Sequence, residues 1–229
     1  MAKHIGIVAC SYEGAALCYR TICREAQERM GEDNHPEVTM HTQPLAEYMK
    51  AVRADDWAKV ADLMLDSARK LAAAGAEFAI CPDNTIHQAF EVVEAGSPIP
   101  WLHIARVVAQ EAQQRGFRCV GILGTAYLME GPVYPQALKD VGIEAVVPAE
   151  AERKRINEII FRQLVKGQFI EPSRLYFNQV MARLKERGAE AAVLGCTEIP
   201  LIVRPGDSPL PTLDSTRLLA RAALSVALG

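Results

Sequence analysis

The sequence predicts an α/β fold of two similar halves, each a parallel sheet flanked by helices. Three observations lead there. Short apolar runs alternate with helical stripes along the chain, one segment occurs twice, and no low-complexity linker parts the copies. The repeat is the strongest of the three. Gly75-Ala76-Glu77-Phe78-Ala79-Ile80-Cys81-Pro82-Asp83-Asn84-Thr85-Ile86-His87 lies without a gap over Gly188-Ala189-Glu190-Ala191-Ala192-Val193-Leu194-Gly195-Cys196-Thr197-Glu198-Ile199-Pro200, at a constant offset of 113 (188 − 75). In each copy a helix ends at glycine, Ala-Glu leads into a buried strand, and a polar loop follows. Ile5-Gly6-Ile7-Val8 matches Val120-Gly121-Ile122-Leu123 more loosely, as the first strand of each half.

The elements follow in order. Ile5 to Ala9 reads as a strand, ending in Cys10-Ser11-Tyr12-Glu13-Gly14. A helical stripe runs through Ala16, Tyr19, Ile22, Ala26 and Met30, and Glu37 to His41 is a weak second strand. Trp57 to Ala74 is an amphipathic helix stopped by Gly75, and Phe78 to Cys81 a buried strand. A short helix begins near His87, Trp101-Leu102 is a short strand, and a helix covers Ala105 to Arg115. Cys119 to Leu123, Ile143 to Val147 and Ala191 to Leu194 are strands, with helices after Thr125 and over 150–165 and 173–187. Asp214 reads as the N-cap of a last helix with the stripe Leu218, Ala222 and Val226. The first domain is expected to span 1–100 and to be completed by 210–229; the second is expected to span 101–209.

Composition narrows the function. The chain has 229 residues, 50% of them hydrophobic, enough for a sizeable core. Its net charge of −3 and the lack of a Lys/Arg stripe argue against a nucleic-acid partner. The N-terminus passes from Met1-Ala2-Lys3-His4 straight into the first strand, and no apolar run approaches membrane-spanning length. A cytoplasmic protein with no membrane partner is the expectation. The six scattered cysteines read as thiols, and the five histidines lack zinc-site spacing, so no metal is expected.

Open α/β sheets bind ligands beyond the carboxyl ends of their strands. Two such loops facing each other would set Asp83 and Cys196, equivalent by the repeat, on opposite sides of one small ligand in a cleft between the halves. Inverting a carbon stereocentre needs that arrangement: one group takes a proton from one face and another returns one to the opposite face. Hydroxyl, amide and backbone N–H groups beside them can hold a carboxylate and stabilise enolate charge.

These same segments resemble a known family. Pro82-Asp83-Asn84-Thr85-Ile86-His87 is similar to the Pro-Cys-Asn-Thr-x-His signature of the aspartate/glutamate racemase superfamily. Leu194-Gly195-Cys196-Thr197-Glu198-Ile199 is similar to its Leu-Gly-Cys-Thr-Glu-Ile signature, and Val120 to Thr125 and Leu213 to Thr216 also look like family segments, in family order. The resemblance implies two α/β domains, no cofactor, two catalytic thiols, a small amino-acid or carboxylate substrate and often a homodimer. It puts catalysis on Cys196 and on the position of Asp83. Asn84, Thr85 and Thr197 become carboxylate ligands, with Ser11 and Thr125 as further substrate contacts after the two first strands. Arg20, Arg53 and Lys166 lie in plausible regions for a side-chain carboxylate clamp, and nothing in the sequence chooses among them.

One departure matters: the family's first catalytic cysteine falls on Asp83. Reference pKa values of about 8.5 for Cys and about 3.9 for Asp make a carboxylate the weaker base by roughly 4.6 units, or about 6 kcal/mol. Burial can recover part of that. The expected activity is therefore racemisation of a small acidic amino acid by Cys196 and Asp83. The alternatives are a single-thiol lyase or decarboxylase, or a catalytically silent binding homologue. Asp83 also has a plain structural reading, as the cap of a turn.

Overall fold

The computed structural model describes residues 2–229. The chain forms two compact units, the first running to Val107 and resuming from Thr216 to Gly229, the second spanning Val108–Ser215.

The first unit contains β1 (Ile5–Ala9), α1 (Tyr12–Met30), β2 (Val38–Thr42), α2 (Leu45–Arg53), α3 (Trp57–Ala73), β3 (Phe78–Ile80), α4 (Phe90–Gly96) and β4 (Trp101–Leu102). The second contains most of α5 (Ile104–Gln114) and then β5 (Cys119–Leu123), α6 (Ala126–Glu130), α7 (Val133–Lys139) and β6 (Glu144–Val146). It continues through α8 (Glu150–Arg162), α9 (Glu171–Glu186), β7 (Ala191–Leu194), α10 (Ile199–Ile202) and β8 (Thr212–Asp214). The last helix, α11 (Ser215–Leu228), returns the chain to the first unit. Among the described residues, no helix is long and apolar enough to cross a membrane.

Each unit holds a four-stranded sheet, in the orders β2-β1-β3-β4 and β6-β5-β7-β8, and among the described residues every strand pairing is parallel. The repeat extends to register. Gly6 opposes Ala79 in the first sheet, and Gly121 opposes Ala192 in the second. Trp101 then pairs with Ala79 as Thr212 pairs with Ala192. Trp101–Leu102 is thus an edge strand of the first sheet and Thr212–Asp214 an edge strand of the second, whereas the sequence reading draws its divisions just before each.

The Gly-Ala-Glu of the repeat has a mechanical purpose in both copies. Gly75 and Gly188 end α3 and α9 with φ of +92° and +96°, a left-handed conformation open to glycine. Ala76 N–H then bonds back to Leu71 O, and Ala189 N–H to Leu184 O, each at 3.0 Å. Glu77 and Glu190 accept the backbone N–H of His4 and Arg118, which fixes where β1 and β5 begin.

Strand alternation sorts the core. Ile5, Ile7 and Ala9 pack with α1 and α11, while Val8 joins Val60, Met64 and Leu71 on the side of α2 and α3. In the second unit Leu123, Ala192 and Leu194 pack with Ile156, Phe177 and Leu184 of α8 and α9. A Cβ on Gly121 would lie 2.8 Å from Leu184 Cδ1, so the missing side chain lets α9 approach β5 closely. α2 and β8 are absent from the sequence reading. α2 offers only Tyr48, Ala51 and Val52 as buried residues behind Pro44, and β8 is three residues that follow Pro209 and Pro211.

Candidate active site

The two loops that the repeat makes equivalent stand at the carboxyl ends of β3 and β7. In the first unit, Asp83 is half-buried and its Oδ1 accepts the Ile86 N–H at 3.3 Å, capping a 3-10 turn over Thr85–Ala89. Its backbone oxygen accepts from His87 Nδ1 at 2.6 Å, and His87 Nε2 accepts the Ile104 N–H at 3.4 Å. The pair of bonds selects the Nδ1–H tautomer and ties the Asp83 loop to the start of α5. Burial, and after it the neighbouring His103, push the His87 pKa well below the ordinary histidine value, against the Asp83 carbonyl. His103 lies edge-on to His87 at 4.7 Å and is itself pushed down to about 4 by burial and Arg106. His87 is therefore a neutral brace.

Asn84 is buried in the same loop and Thr85 is half-buried. Cys81, inside the core, has its thiol pKa pushed far up by burial and then by the Asp83 carboxylate, so it is an inert packing group. Ser11 follows the neighbouring strand β1, and its Oγ caps α1 by accepting the Gly14 N–H at 3.2 Å.

In the second unit, Cys196 is half-buried and its Sγ donates to Glu198 Oε2 at 2.9 Å. Thr197 Oγ1 donates to the same oxygen at 2.8 Å, and both Thr197 and Glu198 are buried. Beneath the loop Gly195 N–H bonds Leu123 O at 2.7 Å, and Ser215 Oγ bonds Leu194 O at 2.9 Å. A Cβ on Gly195 would come within 3.0 Å of Leu123 O and 2.4 Å of Leu128 Cδ2. Glycine there lets the Cys196 loop lie directly on the β5 loop. Thr125 caps α6, its Oγ1 accepting the Leu128 N–H at 3.3 Å.

The fold thus places Ser11, Asp83, Asn84 and Thr85 beyond the carboxyl ends of β1 and β3, and Thr125, Cys196 and Thr197 beyond those of β5 and β7. Arg20 lies on α1, Arg53 ends α2, and Lys166 sits in a 3-10 turn over Leu164–Lys166. Glu198, the carboxylate bonded to the Cys196 thiol, is absent from the sequence reading of the site; the repeat aligns it with Thr85, which hides its charge. Among the described residues, no group of three or more His, Cys, Asp or Glu is arranged to hold a metal ion.

Two four-stranded parallel sheets with flanking helices have the α/β fold seen in glutamate racemases. The family model for Asp/Glu/hydantoin racemases matches residues 6–223, and the chain belongs to that family. It is 22% identical over 203 residues (89% of this chain, 87% of the relative) to the broad specificity amino-acid racemase RacX of Bacillus subtilis (strain 168). Among solved structures, a Yersinia pestis protein provisionally assigned as an Asp/Glu racemase is similar with a TM-score of 0.92 and 31% identity, covering 99% of this chain and 100% of that one. An aspartate racemase homologue from Pyrococcus horikoshii OT3 is similar with a TM-score of 0.87 and 28% identity, covering 100% of both chains.

Proposed function

We propose that the chain racemises or epimerises a small acidic amino acid, of the aspartate or glutamate kind, by cofactor-independent two-base proton transfer. Cys196 serves one face of the α-carbon and Asp83 the other. One group, deprotonated, removes the α-proton; the other, protonated, delivers its proton to the opposite face, and the roles reverse for the other enantiomer. Asn84, Thr85 and Thr197 hold the substrate carboxylate, with Ser11 and Thr125 beside them. The observation that carries this reading is the shared register: Asp83 and Cys196 follow strands paired in the same way, two residues beyond equivalent positions Cys81 and Leu194. Glu198, hydrogen-bonded to the Cys196 thiol, supports it by offering a route for proton exchange between turnovers. The amino-acid racemase named among the relatives supports the substrate class. The homodimer suggested by the family resemblance belongs to the same proposal, and light scattering checks it.

The test is incubation in deuterated water with L- and D-aspartate and L- and D-glutamate. Loss of optical activity with uptake of deuterium at the α-carbon is expected. Carbon dioxide release from a malonate-type acid without racemisation would instead support a second reading, a single-thiol lyase. One observation favours that alternative: Asp83 Oδ1 already caps the Thr85–Ala89 turn. Deuterium uptake by neither substrate class would leave the binding homologue.

A further inference from the structure

Among the described residues Glu198 is the one acidic side chain that is fully buried, at 4% exposure. A carboxylate so enclosed ordinarily has a cation beside it. Glu198 has none: no Lys, Arg or His among the described residues forms an ion pair with it. Its two side-chain bonds, from Cys196 Sγ and Thr197 Oγ1, both end on Oε2. Oε1 accepts no hydrogen bond among the described residues, yet it is not sealed. The sealed side-chain atoms without a partner are Tyr48 Oη, Asn178 Oδ1 and Thr216 Oγ1. Although Glu198 begins α10, its side chain does not cap that helix. One oxygen of a buried carboxylate is thus left for a ligand, directly beside the Cys196 thiol.

We propose that Glu198 receives the α-ammonium group of the substrate on Oε1 and so restricts the site to α-amino acids. The inference rests on the racemase reading of the Cys196 loop and adds to it the charge that selects the substrate class. The cation that the buried carboxylate lacks is then supplied by the ligand, through a hydrogen bond between ions, the stronger kind. Geometry suits this role. A thiol that reaches the α-proton stands about 3–3.5 Å from the α-carbon, and the ammonium nitrogen is one bond from that carbon. A carboxylate in contact with the thiol can therefore also reach the nitrogen. Charge suits it as well. When Cys196 is the deprotonated partner, thiolate and carboxylate stand side by side, and like charges oppose that state. A bound ammonium offsets the repulsion. A diacid without the amino group brings only more negative charge.

The experiment measures binding to the full chain by calorimetry for two pairs that differ in the amino group alone, L-aspartate with succinate and L-glutamate with glutarate. The parent is expected to bind at least one amino acid about tenfold or more tighter than its partner, the worth of a hydrogen bond between charged groups. Glu198→Gln keeps the shape and removes the charge. It should erase the preference by weakening the amino acid, while the diacid keeps or gains affinity. Glu198→Asp keeps the charge and should retain part of the preference; circular dichroism confirms that both variants are folded. Should the Gln variant not fold, the parent ratio and the Asp variant decide. Equal affinities within both pairs in the parent, or no binding of either amino acid, overturns the proposal. So does a preference that survives in folded E198Q, even with turnover lost, since Glu198 would then serve the thiol alone. Failure of the racemase reading is a separate result: amino-acid binding to the parent without deuterium uptake at the α-carbon.

Discussion

The loop after β3 and the loop after β7 leave equivalent strands through equivalent registers, yet they solve different problems. The β3 loop is bonded inward. Asp83 caps its own turn, and its backbone oxygen is pinned by a neutral histidine that also holds α5. The β7 loop is stripped down: glycine replaces proline, the backbone rests on the β5 loop, and the thiol and the neighbouring hydroxyl share one buried carboxylate oxygen. A duplicated frame fixes where a functional group sits and leaves its chemistry to the residues around it. All five histidines fall before Val107, so the first unit alone has imidazole bracing.

The largest effect is expected at Cys196. Cys196→Ser keeps the shape and removes the stronger acid, so racemisation should disappear while circular dichroism and thermal unfolding stay close to the parent. Full activity in the purified variant would break the assignment of chemistry to the β7 loop. Asp83→Asn comes next, with racemisation falling by at least the ~10² typical of a lost acid–base group. Amide nitrogen and oxygen can still fill the site, and α-proton exchange on the face served by Cys196 should partly survive. Asp83→Cys should retain or raise activity towards aspartate or glutamate. If Asn is harmless and Cys gains nothing, the β3 loop is a structural cap and the two loops differ in kind.

The histidine brace sharpens the comparison through pH. His103 ionises at about 4 in the folded chain against 6.5 when unfolded, and His87 is shifted in the same direction. The unfolded chain therefore binds protons first as pH falls below 6.5, and stability drops until the folded pKa is reached. His103 alone accounts for about 3 kcal/mol over that window. Denaturant unfolding between pH 7.5 and 4 should show the loss. His103→Phe, matched in shape to its aromatic neighbours, should reduce the loss and leave the share due to His87; an unchanged slope would show that His103 does not contribute. The smallest effect belongs to Gly195→Ala, whose methyl meets Leu128 and the Leu123 carbonyl. Overpacking should cost about 1–3 kcal/mol of unfolding free energy. The equivalent Pro82→Ala, already carrying side-chain volume, should produce no such clash.

The ungapped repeat made much of the architecture legible, because each conserved letter within it answers a local demand. Gly75 and Gly188 need positive φ, Glu77 and Glu190 hold the next strand's start, and the apolar run must be buried on both faces. Those demands act within a few residues of the letter that meets them, so periodicity and turn chemistry expose them. The sequence by itself thus determined the paired α/β frame, its helix stops and the two loops on which Asp83 and Cys196 fall. Only the tertiary structure decided that Glu198 turns back to the Cys196 thiol and that His87 joins Asp83 to α5. It also assigned Trp101–Leu102 and Thr212–Asp214 to the edges of opposite sheets. These are contacts of direction and distance among side chains and strands, and they are set only once each sheet has fixed the course of its own loops.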